Sequence, residues 1–505
     1  MTSPVARLGV WPLWAQLCLA LCGGAVGALA HAPNDLTPFI LLPMLAGFAL
    51  LRAAQSSPRA LMFGWALGWA YFALTLNWIT EPFQVDAATT GWMAPFALML
   101  LALLLGAFWA LALAFAKWAG GRAWMLVVAW TGAEMLRAYL FTGFPWAMLA
   151  QTLIDVQIGQ ALAWAGPHGM TAALLGAAGL VMSTQRLFLS AAGAIAATIA
   201  VLVPVIQPPD TLTDHTVRLV QPNAPQTEKW DPARIPVFVN RQIEATAAGE
   251  VPDLVVWPET ALPYLLENAT PVLEAAAQAA RGAPVVLGIQ RRDEDGGYYN
   301  SLVVLDAVGQ VAQTYDKHHL VPFGEYMPFK WLFRNIGIRA LAERSDAGYI
   351  AGSGPGLLDF GALGAGLPLI CYEAVFAHDV GSAPSRPAFL MQLTNDAWFG
   401  ARSGPQQHLA QARMRAIEQG LPMMRAANTG ISAMIDTRGR ITKALPLNTA
   451  GFIDAPLPGP RAPTLYARTG DLPWVVLVLA GLIVAVLHRA RTRRTQRIDG
   501  IPPSA

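Results

Sequence analysis

What most constrains this chain is where its charge is missing. Residues 1–206 are a series of apolar runs separated by short polar loops, and one further run fills 472–488. A helix that crosses a bilayer needs about 20 mostly apolar residues, and these runs are long enough to meet that need. Of 505 residues, 54% are hydrophobic and 13% charged, where soluble domains carry about 25% charged residues. The deficit is local: the stretch 210–470 has ordinary polarity and the length of a globular domain. The sequence therefore predicts a multi-span α-helical membrane domain over 1–206 and a globular domain over 210–470. A last span at 472–488 and a basic tail at 489–505 follow. The first run has only Arg7 before it and no small-residue cleavage site, so it reads as a retained helix.

Seven spans fit before residue 207, at about 9–30, 36–52, 60–81, 91–116, 123–145, 157–182 and 187–206, which makes about eight with the last. The loops test this count. Arg52 and Arg59 share one loop, Lys117 and Arg122 another, and Arg186 a third. The loops between hold Asp35, Glu81, Asp86 and Asp155 and no Lys or Arg. Basic loops face the cytoplasm, so the pattern predicts cytoplasmic N- and C-termini and a globular domain on the other side of the membrane. The tail "HRARTRRTQR" reads first as a topological anchor, with a nucleic-acid or lipid patch as the alternative. Net charge is +2, with no basic run interleaved with aromatics elsewhere, and no nucleic-acid partner is expected.

Charges inside a span are costly and usually pair. Glu134 and Arg137 stand three apart in the fifth run and read as a self-neutralising pair. Trp78 and Trp146, near span ends, read as an interfacial belt or the rim of a lipid opening. Cys18 and Cys22 share a face of the first run and read as packing residues. Three cysteines in all do not make a disulfide framework.

In 210–470, strand-like runs ("TVRLVQ", "DLVVW", "PVVLGIQ", "YNSLVVLD", "PLICYE", "FLMQLTN", "MMRAAN", "SAMIDT") alternate in part with helical ones at 270–282 and 404–420. That mixture indicates a layered α/β domain. Three apolar strands end in reactive groups: "LVVWPET" in Glu259, "QTYDKHHLVPFGEY" in Lys317 with Glu325 eight residues on, and "PLICYE" in Cys371. Strand ends are where layered α/β folds gather their sites. A cysteine nucleophile needs a base or a cation beside it. A glutamate can take the thiol proton and return it, and a lysine can stabilise an oxyanion. The set is chemically complete for acyl transfer through a thioester. Read singly, each has a plainer role: Cys371 as strand-end packing, Glu259 as a turn cap, Lys317 as a surface cation. His318 and His319 have no further Cys or His at ligand spacing, so no metal is expected.

Four stretches in order, "WPET", "YDKHHLVPFGEYMP", "ICYE" and "LTNDAWFG", resemble the nitrilase superfamily. With the apolar half, "GFPW" and "QTEKWD", the chain is similar within it to the membrane-embedded acyltransferases of bacterial lipoprotein maturation. The resemblance covers all but about 495–505 and implies an αββα sandwich. It implies Glu259 as general base, Lys317 as charge stabiliser and Cys371 as nucleophile, with Glu325, Tyr372 and Glu373 in support. Trp230, Asn395 and Trp398 are the implied substrate contacts. It also implies no cofactor, a phospholipid acyl donor (the sn-1 chain of phosphatidylethanolamine), a diacylated apolipoprotein acceptor and an inner-membrane location.

A membrane-anchored nitrilase-type amidase is the main rival, because the Glu–Lys–Cys set alone does not exclude water as acceptor. A transporter with a binding domain is the second, and the scarcity of intramembrane charge argues against it. The apolar loop "YMPFKWLF" (326–333), with Phe329, Trp331 and Phe333, is the expected lid.

Overall fold

The computed structural model describes residues 8–182, 211–328 and 348–498. The chain divides into two compact units, Met1–Pro208 with Leu465–Ala505, and Pro209–Thr464.

In the first unit, three helices among the described residues are long and apolar enough to cross a membrane: Leu13–Ala30, Ala87–Ala119 and Leu472–Thr495. The pair Ser57–Thr75 and Asn77–Gln84, bent by 63°, makes a fourth if it counts as one span. This is fewer than the eight expected, and the differences have local causes. Thr37–Ala53 is apolar but short. The fifth run stops at Tyr139 after 17 helical residues. The sixth breaks at Gly166 (φ 61) before Pro167, a residue that cannot continue a hydrogen-bonded helix. The expected span at 187–206 lies outside the described residues.

The long helices bury one face and expose an apolar one. Within Ala94–Ala119, Leu98, Leu105, Trp109 and Leu113 are buried, while Phe96, Leu100, Leu104 and Leu111 are exposed. In water that second face would cost about 25 cal/mol per Å²; hydrocarbon removes the cost. Small residues set the packing distance. A Cβ on Gly64 would stand 2.6 Å from the Trp109 carbonyl oxygen, and one on Gly68 2.8 Å from the Gly106 Cα.

Glu134 and Arg137 form the expected pair, at 2.6 Å and fully buried. Trp109 Nε1 donates to Glu134 at 2.6 Å. Arg137 also donates to the carbonyls of Phe144 and Trp146, at 2.5 and 2.7 Å. The pair thus pins "GFPW" to its helix. Trp78 and Trp146 are buried and pack together at 4.5 Å, not in an exposed belt. Cys18 and Cys22 are exposed, opposite to the packing role expected of them. Gln16, Ala20 and Gly24 occupy the buried face of that helix instead.

The second unit is two stacked six-stranded sheets. The strands are β1 (Leu212–Gln221), β2 (Leu254–Val256), β3 (Val285–Arg292), β4 (Tyr298–Leu305), β5 (Val311–Asp316) and β6 (Leu358–Asp359). They continue as β7 (Ala365–Ile370), β8 (Phe389–Thr394), β9 (Met423–Ala427), β10 (Ser432–Ile435), β11 (Ile441–Leu445) and β12 (Gly451–Pro458). One sheet runs β12-β1-β2-β3-β4-β5 and the other β11-β10-β9-β8-β7-β6. The runs β1-β2-β3 and β7-β8-β9 are parallel.

Side-chain alternation along the strands builds the layers. Val217, Leu219, Leu254, Val256, Ile370, Met391 and Leu393 fill the space between the sheets. Val255, Val285 and Leu287 face out toward the helices Ile235–Ala247 and Thr270–Ala280 through Val239, Leu273 and Ala276. Leu367, Leu369 and Leu390 face out toward the helix Gly404–Gln419 through Leu409, Ala412 and Ala416. The order is helix, sheet, sheet, helix, as expected of an αββα sandwich.

Candidate active site

Each expected reactive residue stands just past a strand end. Glu259 follows β2 through Trp257 and Pro258, Lys317 follows β5, and Cys371 follows β7. The first two come from one sheet and the third from the other, so stacking the sheets is what gathers them.

The Glu259 turn is shaped by β3. Trp257 N–H donates to the Val286 carbonyl and Ala261 N–H to that of Gly288, both at 2.8 Å. A Cβ on Gly288 would lie 2.6 Å from the Glu259 Cα, so only glycine permits this approach. Thr260, next in line, has φ 46. The carboxylate is nearly buried and fully engaged. Oε1 accepts from Asn300 Nδ2 at 2.7 Å, and Oε2 from the Asn395 backbone N–H at 2.8 Å.

Lys317 Nζ lies 2.8 Å from Glu325 Oε1 and 3.6 Å from Glu259 Oε1. Burial disfavours the ammonium, but Glu325 and Glu259 outweigh it and hold Lys317 charged well above the usual range. Glu325 is held in turn by the Val321 N–H at 2.8 Å and by Asn300 at 3.1 Å. One cation thus sits between two carboxylates, with the Asn300 amide bridging them.

Cys371 is buried and has φ 52, a left-handed backbone that costs a non-glycine residue about 1–2 kcal/mol. Burial and the Glu259 charge push its thiol well up, against Lys317, which pulls it down. Burial thus favours the neutral thiol at this position.

Glu373 is fully buried on the backbone side of this turn. Its Oε2 accepts from the Ile370 N–H at 2.6 Å, and its Oε1 from the His318 N–H at 2.7 Å and Tyr315 OH at 2.9 Å. It thereby clasps the segment after Lys317 to the Cys371 turn. Tyr372 is buried and packs edge-on against Phe376 at 4.8 Å.

Of the expected substrate contacts, Trp230 and Trp398 are exposed, at 43% and 40%. Asn395 is different. Its amide is used by Gln226 at 2.9 Å and by Asn428 at 2.8 Å, and its backbone N–H holds Glu259. Its polar groups are thus engaged within the protein, around Glu259. Of the expected lid only Tyr326–Pro328 are described; Phe329, Trp331 and Phe333 lie outside the described residues.

Sequence reasoning missed Asn300 and Lys229. Asn300 donates to both Glu259 and Glu325, with which Lys317 also pairs, and its signal was a buried amide inside the apolar strand β4. Lys229, in "QTEKWD", is buried with its Nζ 3.5 Å from the Glu259 carbonyl oxygen. Burial, opposed by Glu259, brings it down to about 8.

The spacing argument against a metal also lacked tertiary partners. His378 and Asp379 come to His319, with ligand atoms within 4.8 Å of one another. His319 Nδ1 bonds Asp379 at 2.7 Å. Burial lowers the His318 pKa, but hydrogen bonds to Asp379 and Glu373 outweigh it and hold it up at about 9.

A two-sheet sandwich with Glu, Lys and Cys at its strand ends is the architecture of a nitrilase-type domain. Residues 172–462 match the family model described as carbon-nitrogen hydrolase. Residues 23–180 match the one described as the apolipoprotein N-acyltransferase N-terminal domain. The apolipoprotein N-acyltransferase of Caulobacter vibrioides is 37% identical, over 94% of this chain and 95% of its own. That of Rhodopseudomonas palustris is 35% identical over 94% and 96%, and that of Brucella melitensis 36% over 94% and 95%. Among solved structures, an amidase from Nesterenkonia sp. covers 51% of this chain at 18% identity and a TM-score of 0.35. The chain belongs to the apolipoprotein N-acyltransferase family, within the nitrilase superfamily.

Proposed function

We propose that this protein moves an acyl chain from a phospholipid, the sn-1 chain of phosphatidylethanolamine, to the α-amino group of a diacylglyceryl-cysteine at the N-terminus of an apolipoprotein. The observation that carries this reading is the buried constellation of Glu259, Lys317 and Cys371 in a chain of this family.

In the first half-reaction, Glu259 takes the Cys371 thiol proton as Sγ bonds the ester carbon. The charge that develops on the carbonyl oxygen is stabilised by Lys317, which stays cationic throughout. The ester C–O bond breaks, the leaving oxygen takes the proton from Glu259, and lysophospholipid departs. In the second, the neutral amine attacks the thioester, Glu259 accepts its proton, the C–S bond breaks, and the sulfur is reprotonated. This is a ping-pong sequence. Glu325 and Asn300 hold Lys317 and Glu259 in place, Asn395 holds the Glu259 carboxylate through its backbone N–H, Glu373 holds the backbone around Cys371, and Trp230 and Trp398 contact substrate.

The positive-inside pattern supports an inner-membrane protein with cytoplasmic termini and Pro209–Thr464 on the periplasmic side. The apolar helices keep the donor's acyl chain from water, which would cost about 0.8 kcal/mol per CH₂.

The test is purified protein with labelled phosphatidylethanolamine and a diacylated lipopeptide. N-acylated lipopeptide is the expected product. Free fatty acid alone would make the enzyme a membrane-anchored amidase-type hydrolase and overturn the reading.

A further inference from the structure

The carbonyl oxygen of Cys371 is turned into a polar cluster that the catalytic steps do not use. Gln392 on β8, Arg425 on β9, Asp396 and His408 are each fully buried. Gln392 Nε2 lies 3.1 Å from the Cys371 carbonyl oxygen and 3.0 Å from His408 Nε2. His408 Nδ1 lies 2.9 Å from Asp396 Oδ1. Arg425 Nη2 donates to Asp396 Oδ2 at 2.5 Å, and its Nη1 donates to Gln392 Oε1.

The cluster leaves one consistent assignment of protons. Burial works against the Asp396 charge, but Arg425 and His408 overcome it and hold its pKa down to about 2. As an ionised carboxylate, Asp396 only accepts, so His408 carries its proton on Nδ1. Burial and then Arg425 push His408 down, which keeps the ring neutral. Its Nε2 is then an acceptor, and it takes one N–H of Gln392. Arg425 takes the Gln392 oxygen, so the amide is not free to flip. The other Gln392 N–H is the donor to the Cys371 carbonyl; His408 Nε2, also 3.1 Å away, has none to give.

The consequence falls on the next residue. In a trans peptide the C=O and N–H groups point to opposite sides. Anchoring the Cys371 carbonyl in the cluster therefore turns the Tyr372 N–H to the opposite side, away from the cluster. Glu373 holds the Ile370 N–H at 2.6 Å on the other flank. The left-handed Cys371 backbone is thus fixed from both sides.

We propose that Gln392, oriented by Arg425, His408 and Asp396, is a positioning residue that aims the Tyr372 N–H at the developing oxyanion, so that Gln392 governs attack on an ester and not the reactivity of the thiol. This rests on the acyl-transfer reading of Cys371 but not on the phospholipid as donor.

The test compares two reactions of Cys371 in the full-length protein. Alkylation by iodoacetamide displaces iodide and forms no oxyanion. Acylation by p-nitrophenyl butyrate forms one. In Gln392→Met, which keeps the volume and removes the donor, acylation should fall about 10²-fold, the scale seen when one oxyanion donor is lost. Alkylation should stay within about threefold. Gln392→Glu keeps the Arg425 partner without the N–H and should behave alike. If Gln392→Met does not fold, His408→Asn serves: it removes the Nε2 acceptor, keeps a donor for Asp396, and should lower acylation selectively. Parallel loss of both rates, or unchanged acylation in a folded variant, would overturn the proposal. A wild-type enzyme acylated by the p-nitrophenyl ester but not by phospholipid would sink the donor assignment and leave this inference standing.

Discussion

Glu259 and Glu373 show how little residue type says about role. Both are buried glutamates, yet one accepts from an amide and a backbone N–H beside Lys317, while the other accepts from backbone N–H groups and the Tyr315 hydroxyl around Cys371. Glu259→Gln should therefore abolish thioester formation while leaving the fold intact, and Cys371→Ala should give neither thioester nor product. Intact-mass spectrometry after exposure to phospholipid reads both outcomes. A Cys371→Ala protein that still yields N-acylated lipopeptide would end the mechanism. His318 gives a pH signature. Its pKa is raised from 6.5 to about 9 by Asp379 and Glu373, against burial, so the native state holds its proton more tightly than the unfolded chain does. The stability this adds is full below about pH 6.5 and is lost as pH rises through about 9. His318→Gln should lower the melting temperature at pH 6 and converge with wild type near pH 10.

Among the elements, the short strand β2 does the most to place Glu259. It has three residues, and the turn after it depends on β3 lying close enough to donate and accept through Gly288. Gly288→Ala would press a methyl group into the Glu259 backbone. Displacing a catalytic group by about 1 Å costs on the order of 10²-fold, so turnover should drop by that factor. The fall should appear in kcat, with KM for the lipopeptide little changed. Strand runs and the two expected helices were legible because their apolar periodicity is local. The helix Ile235–Ala247 and the antiparallel pairing of β12 with β1 were not. Gly451–Pro458 pairs with residues more than 200 positions earlier, and no local pattern encodes that register.

For the whole molecule, the apolar half poses a different balance of terms. Glu134 and Arg137 satisfy each other and two carbonyls in a water-free setting. Removing one partner of a buried pair costs about 3–5 kcal/mol, because the other charge is left unpaired. Arg137→Leu should lower the melting temperature in detergent sharply, and Glu134→Gln with Arg137→Leu should recover part of the loss. A double variant no more stable than Arg137→Leu would show that the carbonyl contacts, not the charge, carry the effect.

The chain's own order of residues was enough to separate an apolar half from a layered α/β half and to single out Glu259, Lys317 and Cys371. Both are short-range facts: hydropathy accumulates along neighbours, and each reactive group ends its own strand. The partners of those groups were beyond its reach. Asn300 meets Glu259 across 41 positions, Asn395 across 136, and Gln392 meets Cys371 across 21. Such contacts exist only once two sheets have stacked and excluded water. Burial then makes every unpaired polar atom costly, and that cost selects one arrangement of charges and protons around the sulfur.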